Sequence, residues 1–192
     1  MEDMHIFMVC THTKQITVLT YRLRAIEFKY AYSKNSVMHM KGKRAMHIKL
    51  ITENKKDFMD LLLLADEQED MIMRYLDRGD LFALYDDDLK SVCVVTDEGD
   101  GAYELQNLAT YAQYQGKGYG SSIVNHALAY YKGKGAVMYV GTGDCPATVN
   151  FYEHRGFTFS HRLKNYILEH YKEPIFENGV QLIDKVYFKQ GL

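Results

Sequence analysis

The stretch that most restricts the fold of this chain is the glycine-rich segment 115–122, Gln-Gly-Lys-Gly-Tyr-Gly-Ser-Ser. Gly116, Gly118 and Gly120 occupy alternate positions, where the backbone can take positive φ and another group can approach it closely. An apolar stretch that ends at Thr110 precedes the segment, and from Ser121 the apolar residues recur at helical spacing. The pattern predicts a strand, a tight turn and a helix in immediate succession.

Such a turn is suited to binding an anion. The N–H groups of the first helical turn lack partners within the helix, and the positive end of the helix dipole lies beside them, so a phosphate or pyrophosphate is the expected guest. Two better-known phosphate motifs are absent. Gly118 follows Lys117 where the Walker pattern needs Ser or Thr, and the glycines fall as GxGxG instead of GxGxxG. A purely structural turn is therefore an alternative at this point.

Hydrophobic patterning predicts alternating elements from Met46 onward. The expected strands cover residues 47–52, 81–85, 91–96, 102–110, 136–140, a stretch from 157, and 180–188, and the expected helices cover 53–65, 67–76, 121–131 and 147–154. Acidic turns at 86–88 and 97–101 predict antiparallel hairpins. Residues 166–179 are aromatic and acidic and match no element.

The strand at 102–110 carries an irregularity. Tyr103 and Leu105 share one face, but the next apolar residue, Leu108, has the wrong parity for a regular strand. One extra residue near Gln106 or Asn107 would restore the alternation, which predicts a β-bulge just before the glycine turn.

Length and composition indicate one domain with an N-terminal appendage. No apolar run approaches the roughly 18 residues of a membrane span, and Glu2 and Asp3 stand where a signal peptide would be basic. Cys10, Cys93 and Cys145 are odd in number and widely spaced, so we expect free thiols in a reducing cytoplasm and no metal site.

Residues 1–45 differ from the remainder in charge. They hold eight of the 23 Lys and Arg residues but three of the 25 Asp and Glu residues, so the body from 46 to 192 is acidic. A basic arm is typical of nucleic-acid binding, whereas an acidic body suits a cationic substrate. A self-sufficient pattern begins at Met46, and we hypothesise that Met46 is the native start; mass spectrometry of the protein made from its own locus decides this, and an intact Met1 would end the idea.

Two motifs together resemble a known superfamily. Gln115-x-x-Gly118-x-Gly120 follows the strand that ends at Thr110, and about thirty residues later comes Phe-Tyr-Glu-x-x-Gly-Phe at 151–157. This combination resembles the GCN5-related N-acetyltransferase (GNAT) superfamily over roughly residues 46–188. The segments 141–143 and 170–179 are similar to YvbK-type bacterial acetyltransferases within it.

The resemblance implies an α/β GNAT fold, in which a mixed central sheet is flanked by helices and its fourth and fifth strands splay apart to admit acetyl-CoA. It implies that Tyr152 protonates the leaving sulfur, that Glu104 is the base, and that the N–H of Leu108, freed by the bulge, is the oxyanion donor. The implied cofactor-binding residues are Leu108, Ala109 and Thr110 toward the pantetheine arm, and Gln115, Gly116, Lys117, Gly118, Tyr119, Gly120 and Ser121 toward the pyrophosphate.

The chemistry supports these roles independently. An alkylammonium has a pKa near 10.4, so amine acetylation at neutral pH benefits from a base, and a phenol with a pKa near 10 can protonate a thiolate whose conjugate acid is near 8.5. One departure is Cys145, which stands where many members have an Asn that contacts the cofactor. We therefore expect a cytoplasmic N-acetyltransferase that acts on a small primary amine by direct transfer.

Several alternatives stay open at the level of sequence. The chain is alternatively a non-catalytic acyl-CoA sensor, for which Cys145 is the best support, a protein or peptide N-acetyltransferase, or a nucleic-acid-associated protein that uses the basic arm. The alternative to a catalytic role is a surface position on a strand for Glu104 and a packing role for Tyr152. A homodimer is compatible with the sequence, and no membrane partner is expected.

Overall fold

The computed structural model describes residues 45–177 and 179–192. The predicted basic arm, residues 1–45, lies outside this part of the chain except for its last residue. The hypothesis that Met46 is the native start concerns the same segment. Within it, the helices and strands predicted from residue 46 onward can be compared with the structure one by one.

The protein is built on one mixed sheet of seven strands in the order β1-β2-β3-β4-β5-β9-β6. Only the β4–β5 pair is parallel; the other neighbours are antiparallel. A separate two-stranded hairpin is formed by β7 and β8. The strands are β1 (His47–Ile51), β2 (Asp80–Asp86), β3 (Asp88–Gly99), β4 (Ala102–Thr110), β5 (Val137–Gly143), β6 (Thr158–Leu163), β7 (Phe176–Glu177), β8 (Val180–Gln181) and β9 (Lys185–Gly191).

Helices cover both faces of this sheet. They are α1 (Met59–Leu62), which a 3₁₀ turn at Lys55–Phe58 precedes, α2 (Glu69–Met73), α3 (Tyr119–Tyr131), α4 (Pro146–Glu153) and α5 (Tyr166–His170). None of the helices within residues 45–177 and 179–192 combines the length and apolar character that a membrane crossing requires.

Two separate cores result from this layering. On one face, Ile123, Val124 and Ala127 of α3 pack with Leu105 and Met138 of the central strands. The second core lies on the opposite face and contains Leu61, Leu62, Ile72, Leu76, Leu81, Val92 and Val94. Residues 91–95 of β3 are buried throughout, as a central strand covered on both faces must be.

The predicted order of elements is confirmed, and both acidic turns join antiparallel hairpins. Two predicted elements are wrong in form. The helix expected at 53–65 is a 3₁₀ turn followed by the short α1. The strand expected at 180–188 divides into β8 and β9, because Leu182 leaves the sheet to pack on Cys145 and Ile167. The helix α5 was not predicted.

Candidate active site

β4 and β5 lie side by side over only part of their length. Their parallel pairing covers residues 102–105 of β4 and 137–140 of β5 and then stops, although β4 continues to Thr110 and β5 to Gly143. The predicted splay of the fourth and fifth strands is therefore confirmed. Beyond Leu105, the main-chain groups on this edge of β4 face a gap instead of a neighbouring strand.

A cavity of about 220 Å³ lies at this gap. Its walls come from the α1–α2 region, from both diverging strands, from α4 and from the C-terminal segment 166–185. Among the residues that line it are Asp66, Leu108, Tyr152, Tyr171, Glu177 and Lys185.

The predicted bulge is present in β4. Leu105 pairs with Val95 and Asn107 pairs with Val94, so Gln106 is the extra residue. The bulge restores the alternation, and Leu108 is buried in the α3 core and also lines the cavity. It falls where the pairing with β5 ends, so one irregularity both bends the strand and opens the gap.

The bulged strand is tied to the helices on the other face by Asn107. Its side-chain Nδ2 donates to the carbonyl oxygen of Leu62 at 3.1 Å and to the hydroxyl of Tyr75 at 3.0 Å. Asn107 is 3% exposed, so these bonds form away from solvent. They set the position of β4 relative to α1 and α2, which form one wall of the cavity.

The glycine turn leads directly into α3. Gly116 has φ 71° and Gly118, the residue before the helix, has φ 86°, so both take the left-handed conformation that favours glycine. A Cβ built on Gly118 meets no atom within 4 Å. The first hydrogen bond of the helix runs from the Ser122 N–H to the Gly118 carbonyl, which leaves the preceding helical N–H groups without helix partners. These are the N–H groups that were assigned to an anion from the sequence, and the assignment stays a prediction.

Arg155 is a cation beside this turn that the sequence reasoning missed. Its guanidinium donates to the hydroxyl of Ser121 and to the Phe151 carbonyl, and it stacks 3.4 Å from the Phe151 ring centroid. Burial lowers the pKa of Arg155, yet the guanidinium stays charged at neutral pH. Arg155 lies inside the predicted 151–157 motif, but the motif gives no sign of which residue its side chain reaches.

Tyr152 is a buried residue of the cavity wall. It lies on α4, is 2% exposed, lines the cavity and contacts the rings of Phe151 and Phe157. Burial raises the pKa of Tyr152, the nearby Cys93 and Glu177 act in the same direction, and Arg155 opposes them. The phenol is therefore protonated at neutral pH.

Glu104 occupies a different position from the one expected of an open base. Its Oε1 accepts a hydrogen bond from the Tyr187 hydroxyl at 3.1 Å and lies 3.6 Å from Lys185 Nζ. Glu104 does not line the cavity itself, but Lys185 does. The carboxylate therefore contacts side chains of β9, one of which, Lys185, lines the cavity.

Other predicted residues divide between the gap and the core. Leu108 and Tyr152 line the same cavity. Ala109 is buried in the α1–α2 core, and the Thr110 hydroxyl shares a 2.8 Å hydrogen bond with Ser91. Gln115 turns back, and its Nε2 donates to the Thr110 carbonyl at 3.1 Å. Tyr119 donates its hydroxyl proton to Asp86 at 2.7 Å. The catalytic and cofactor-binding roles of these residues stay predictions.

Two carboxylates of the cavity were also missed. Asp66 follows α1, and its Oδ2 accepts a long hydrogen bond of 3.4 Å from the Tyr75 hydroxyl. Glu177 lies on β7, is 9% exposed, and accepts a 2.8 Å hydrogen bond from the Thr148 hydroxyl of α4. They lie 111 positions apart in the chain, and no sequence signal places them at one site.

Comparisons with known proteins agree with this geometry. The family model described as the acetyltransferase (GNAT) family matches residues 48–157. The uncharacterized N-acetyltransferase YvbK of Bacillus subtilis strain 168 is 34% identical over 144 residues, which cover 73% of this chain and 93% of that protein.

Two solved structures are similar over the same region. A GNAT family acetyltransferase from Elizabethkingia anophelis, solved with acetyl-CoA bound, has a TM-score of 0.73 and 27% identity and covers 77% of this chain and 98% of its own. A Bacillus subtilis acetyltransferase in complex with CoA has a TM-score of 0.72 and 32% identity, with 77% and 99% covered. The match of the family model, the identity to YvbK and the splayed strands lead to one conclusion: the chain belongs to the GNAT family of acetyltransferases.

Proposed function

We propose that this protein is an acetyl-CoA-dependent N-acetyltransferase that acetylates a primary amine of a small molecule by direct transfer within a ternary complex. The observation that supports this most is the gap between β4 and β5, which opens a cavity lined by Leu108 and Tyr152. The relatives from Elizabethkingia anophelis and Bacillus subtilis, solved with acetyl-CoA and CoA respectively, support the same donor.

The residues around the glycine turn fit the anionic part of coenzyme A. The N–H groups at the start of α3 and the open space above Gly118 suit a pyrophosphate, and Gln115, Gly116, Lys117, Tyr119, Gly120 and Ser121 complete the predicted cradle. Arg155 adds a fixed positive charge next to Ser121. Main-chain groups of Leu108, Ala109 and Thr110 on the open edge of β4 are proposed to hold the pantetheine arm.

The bound donor supplies an acetyl thioester, and the chain supplies proton handling and polarity. We assign to the N–H of Leu108 the stabilisation of negative charge on the carbonyl oxygen. The Tyr152 hydroxyl, which is protonated at neutral pH, delivers a proton to the departing sulfur. No cysteine or serine among the described residues lines the cavity, which supports direct transfer over an acyl-enzyme.

Glu104 is the proposed acceptor of the amine proton. The Tyr187 hydroxyl and Lys185 Nζ contact the same carboxylate oxygen, so a proton taken near the cavity can reach Glu104 through them or through water. The proposed location is the reducing cytoplasm, which suits the buried thiols of Cys93 and Cys145.

The test is thiol release from acetyl-CoA across a panel of amines. We expect initial-rate lines that intersect when both substrates are varied, and for Glu104→Gln a fall in kcat/KM of about a hundredfold at neutral pH. Glu153→Gln, which alters an exposed carboxylate of α4, is the control and should match the wild type.

Three results would contradict the proposal in different ways. Tight coenzyme A binding without turnover of any amine favours the sensor. Turnover confined to peptide N-termini favours the protein or peptide N-acetyltransferase. Parallel initial-rate lines would replace direct transfer with an acyl-enzyme.

A further inference from the structure

Three carboxylates line the cavity, and two of them, Asp66 and Glu177, are oriented by neutral groups. The only hydrogen bond that Glu177 accepts within the described residues comes from the Thr148 hydroxyl, and Asp66 interacts with the backbone N–H of Gln68 and with the hydroxyls of Tyr171 and Tyr75. The second oxygen of Asp66, Oδ1, is buried and has no hydrogen-bond partner. Hydroxyl donors fix the direction of a carboxylate but do not balance its charge.

The cations that share the cavity are engaged elsewhere. Lys185 lies 3.6 Å from Glu104, and it acts on Asp66 only weakly over a longer distance. Arg78 is paired with Glu98 at 2.7 Å. Arg74, just after α2, is exposed, and no ion pair within the described residues joins any cation to Asp66 or Glu177.

The two carboxylates are energetically unfavourable in the folded protein unless a cation binds in the cavity. A buried carboxylate without a counterion loses its hydration and gains no compensating charge. The cost is visible at Asp66, where burial raises the pKa of the carboxyl although its hydrogen bonds and Lys185 oppose the rise. Glu177 is nine-tenths buried on the wall near Tyr152, so it belongs to the part of the cavity closest to the proposed chemistry.

We infer that Asp66 and Glu177 form a subsite for a second basic nitrogen of the acceptor, so that the preferred substrate is a small diamine. The inference rests on the proposed function and names the substrate class of the same site. A monoamine would leave both carboxylates unbalanced, and an amino acid would bring a third negative charge toward them.

The reaction is compatible with a charge that stays in place. Acetylation forms one C–N bond and breaks the C–S bond, and its net effect moves one proton from the attacking nitrogen to the sulfur. The attacking nitrogen must be neutral, whereas the second nitrogen remains an ammonium ion before and after the transfer. A subsite that holds the ammonium ion therefore orients the acceptor without inhibiting the chemistry.

The experiment compares acceptors of matched length. Butane-1,4-diamine, pentylamine and 5-aminopentanoate present an ammonium, a methyl and a carboxylate at the far end of similar chains. We expect kcat/KM for the diamine to exceed that for pentylamine by at least about tenfold, as one charge-assisted contact predicts, and 5-aminopentanoate to be the poorest. A higher kcat/KM for 5-aminopentanoate than for the diamine would indicate that Arg74 binds the far end of the acceptor, and would overturn the inference.

Glu177→Gln and Asp66→Asn test the subsite directly. Each should raise KM for the diamine about tenfold, leave its kcat within about twofold, and change kcat/KM for pentylamine much less than kcat/KM for the diamine. Glu173→Gln is the matched control, since Glu173 is exposed, belongs to the same segment and does not line the cavity. An equal loss for diamine and monoamine would show that the variants only disturb the fold, and would overturn the inference.

A binding measurement separates this inference from the proposed function. Calorimetric titration of the diamine into the protein saturated with coenzyme A needs no turnover. Binding that weakens about tenfold in Glu177→Gln supports the subsite even if no amine is acetylated, in which case the proposed function alone fails. Binding that is equal in the variant and the wild type overturns the subsite whether or not turnover occurs.

Discussion

The two sides of the cleft are built in different ways. The proposed donor side comprises β4, the glycine turn, α3 and α4, and its key features are backbone conformations, such as the bulge at Gln106 and the positive φ of Gly118. The proposed acceptor side comprises the α1–α2 region and the segment 166–185, and its key features are side-chain contacts between residues far apart in the chain.

This difference explains why the sequence indicates the donor but does not identify the acceptor. A backbone feature depends on a few neighbouring residues, so a short sequence motif can indicate it. A set of side-chain contacts changes with a single substitution on any of several segments. The donor side should therefore tolerate few changes, whereas changes on the acceptor side should alter substrate preference or stability more than they alter coenzyme A binding.

The largest expected effect concerns Tyr152 on the donor side. Tyr152→Phe removes a hydroxyl that burial keeps protonated, and we expect kcat to fall about a hundredfold with little change in KM for acetyl-CoA. The measurement is steady-state thiol release. Tyr131→Phe is the control, because Tyr131 is also buried but donates its hydroxyl proton to Asp80 at 2.6 Å. Neither Tyr131 nor Asp80 lines the cavity. Equal kcat in both variants would remove Tyr152 from the chemistry.

The next effect concerns Asn107, the link between the two sides. Asn107→Ala leaves the Leu62 carbonyl and the Tyr75 hydroxyl without their donor, so we expect the free energy of unfolding to fall by about 2 kcal/mol. Chemical denaturation measures it. Gln106→Ala is the neighbouring control, since the Gln106 amide bonds to Thr96 and Glu98 nearer to solvent, and it should cost less than about 0.5 kcal/mol. A similar loss in both would show that the bulge, not the Asn107 bonds, holds the strand.

A smaller effect separates backbone strain from anion binding. Gly118 and Gly99 both have φ 86°, and a Cβ on either meets no atom within 4 Å. Alanine at either position should therefore destabilise the fold by about 1 kcal/mol. Only Gly118→Ala should also weaken coenzyme A binding, because Gly118 directly precedes α3 whereas Gly99 is the last residue of β3. Calorimetric binding of coenzyme A to both variants is the test, and equal affinities would remove Gly118 from the anion site.

The comparison also shows what the sequence could predict. The splayed strands, the bulge near Gln106 and the turn before α3 were predicted because each follows from local patterning or from a motif. Asp66, Glu177 and Arg155 were not, because their positions depend on tertiary packing between segments that have no periodic relation. Residues 180–188 were wrongly predicted as one strand for the same reason: Leu182 is apolar in either case, and only its packing with Ile167 shows that the strand is interrupted there.

The smallest expected effect concerns the stability cost of the acceptor side. Burial raises the pKa of Asp66 above 3.8, so the folded protein retains a proton that the unfolded chain releases, and the free energy of unfolding falls as pH rises above about 4. Asp66→Asn removes this dependence and should stabilise the fold near neutral pH by about 0.5 kcal/mol, a gain that disappears below about pH 3. Thermal unfolding across pH measures it.

Asp70→Asn provides a control of opposite sign. The hydrogen bond from Lys172 lowers the pKa of the exposed Asp70 carboxyl, so this residue contributes stability that is present near neutral pH and lost as the pH falls through its folded-state pKa. Asp70→Asn should therefore be neutral or slightly destabilising where Asp66→Asn stabilises. If both substitutions shift stability in the same direction, Asp66 is balanced in the folded protein, and the acceptor side holds no stored cost that a cationic substrate would relieve.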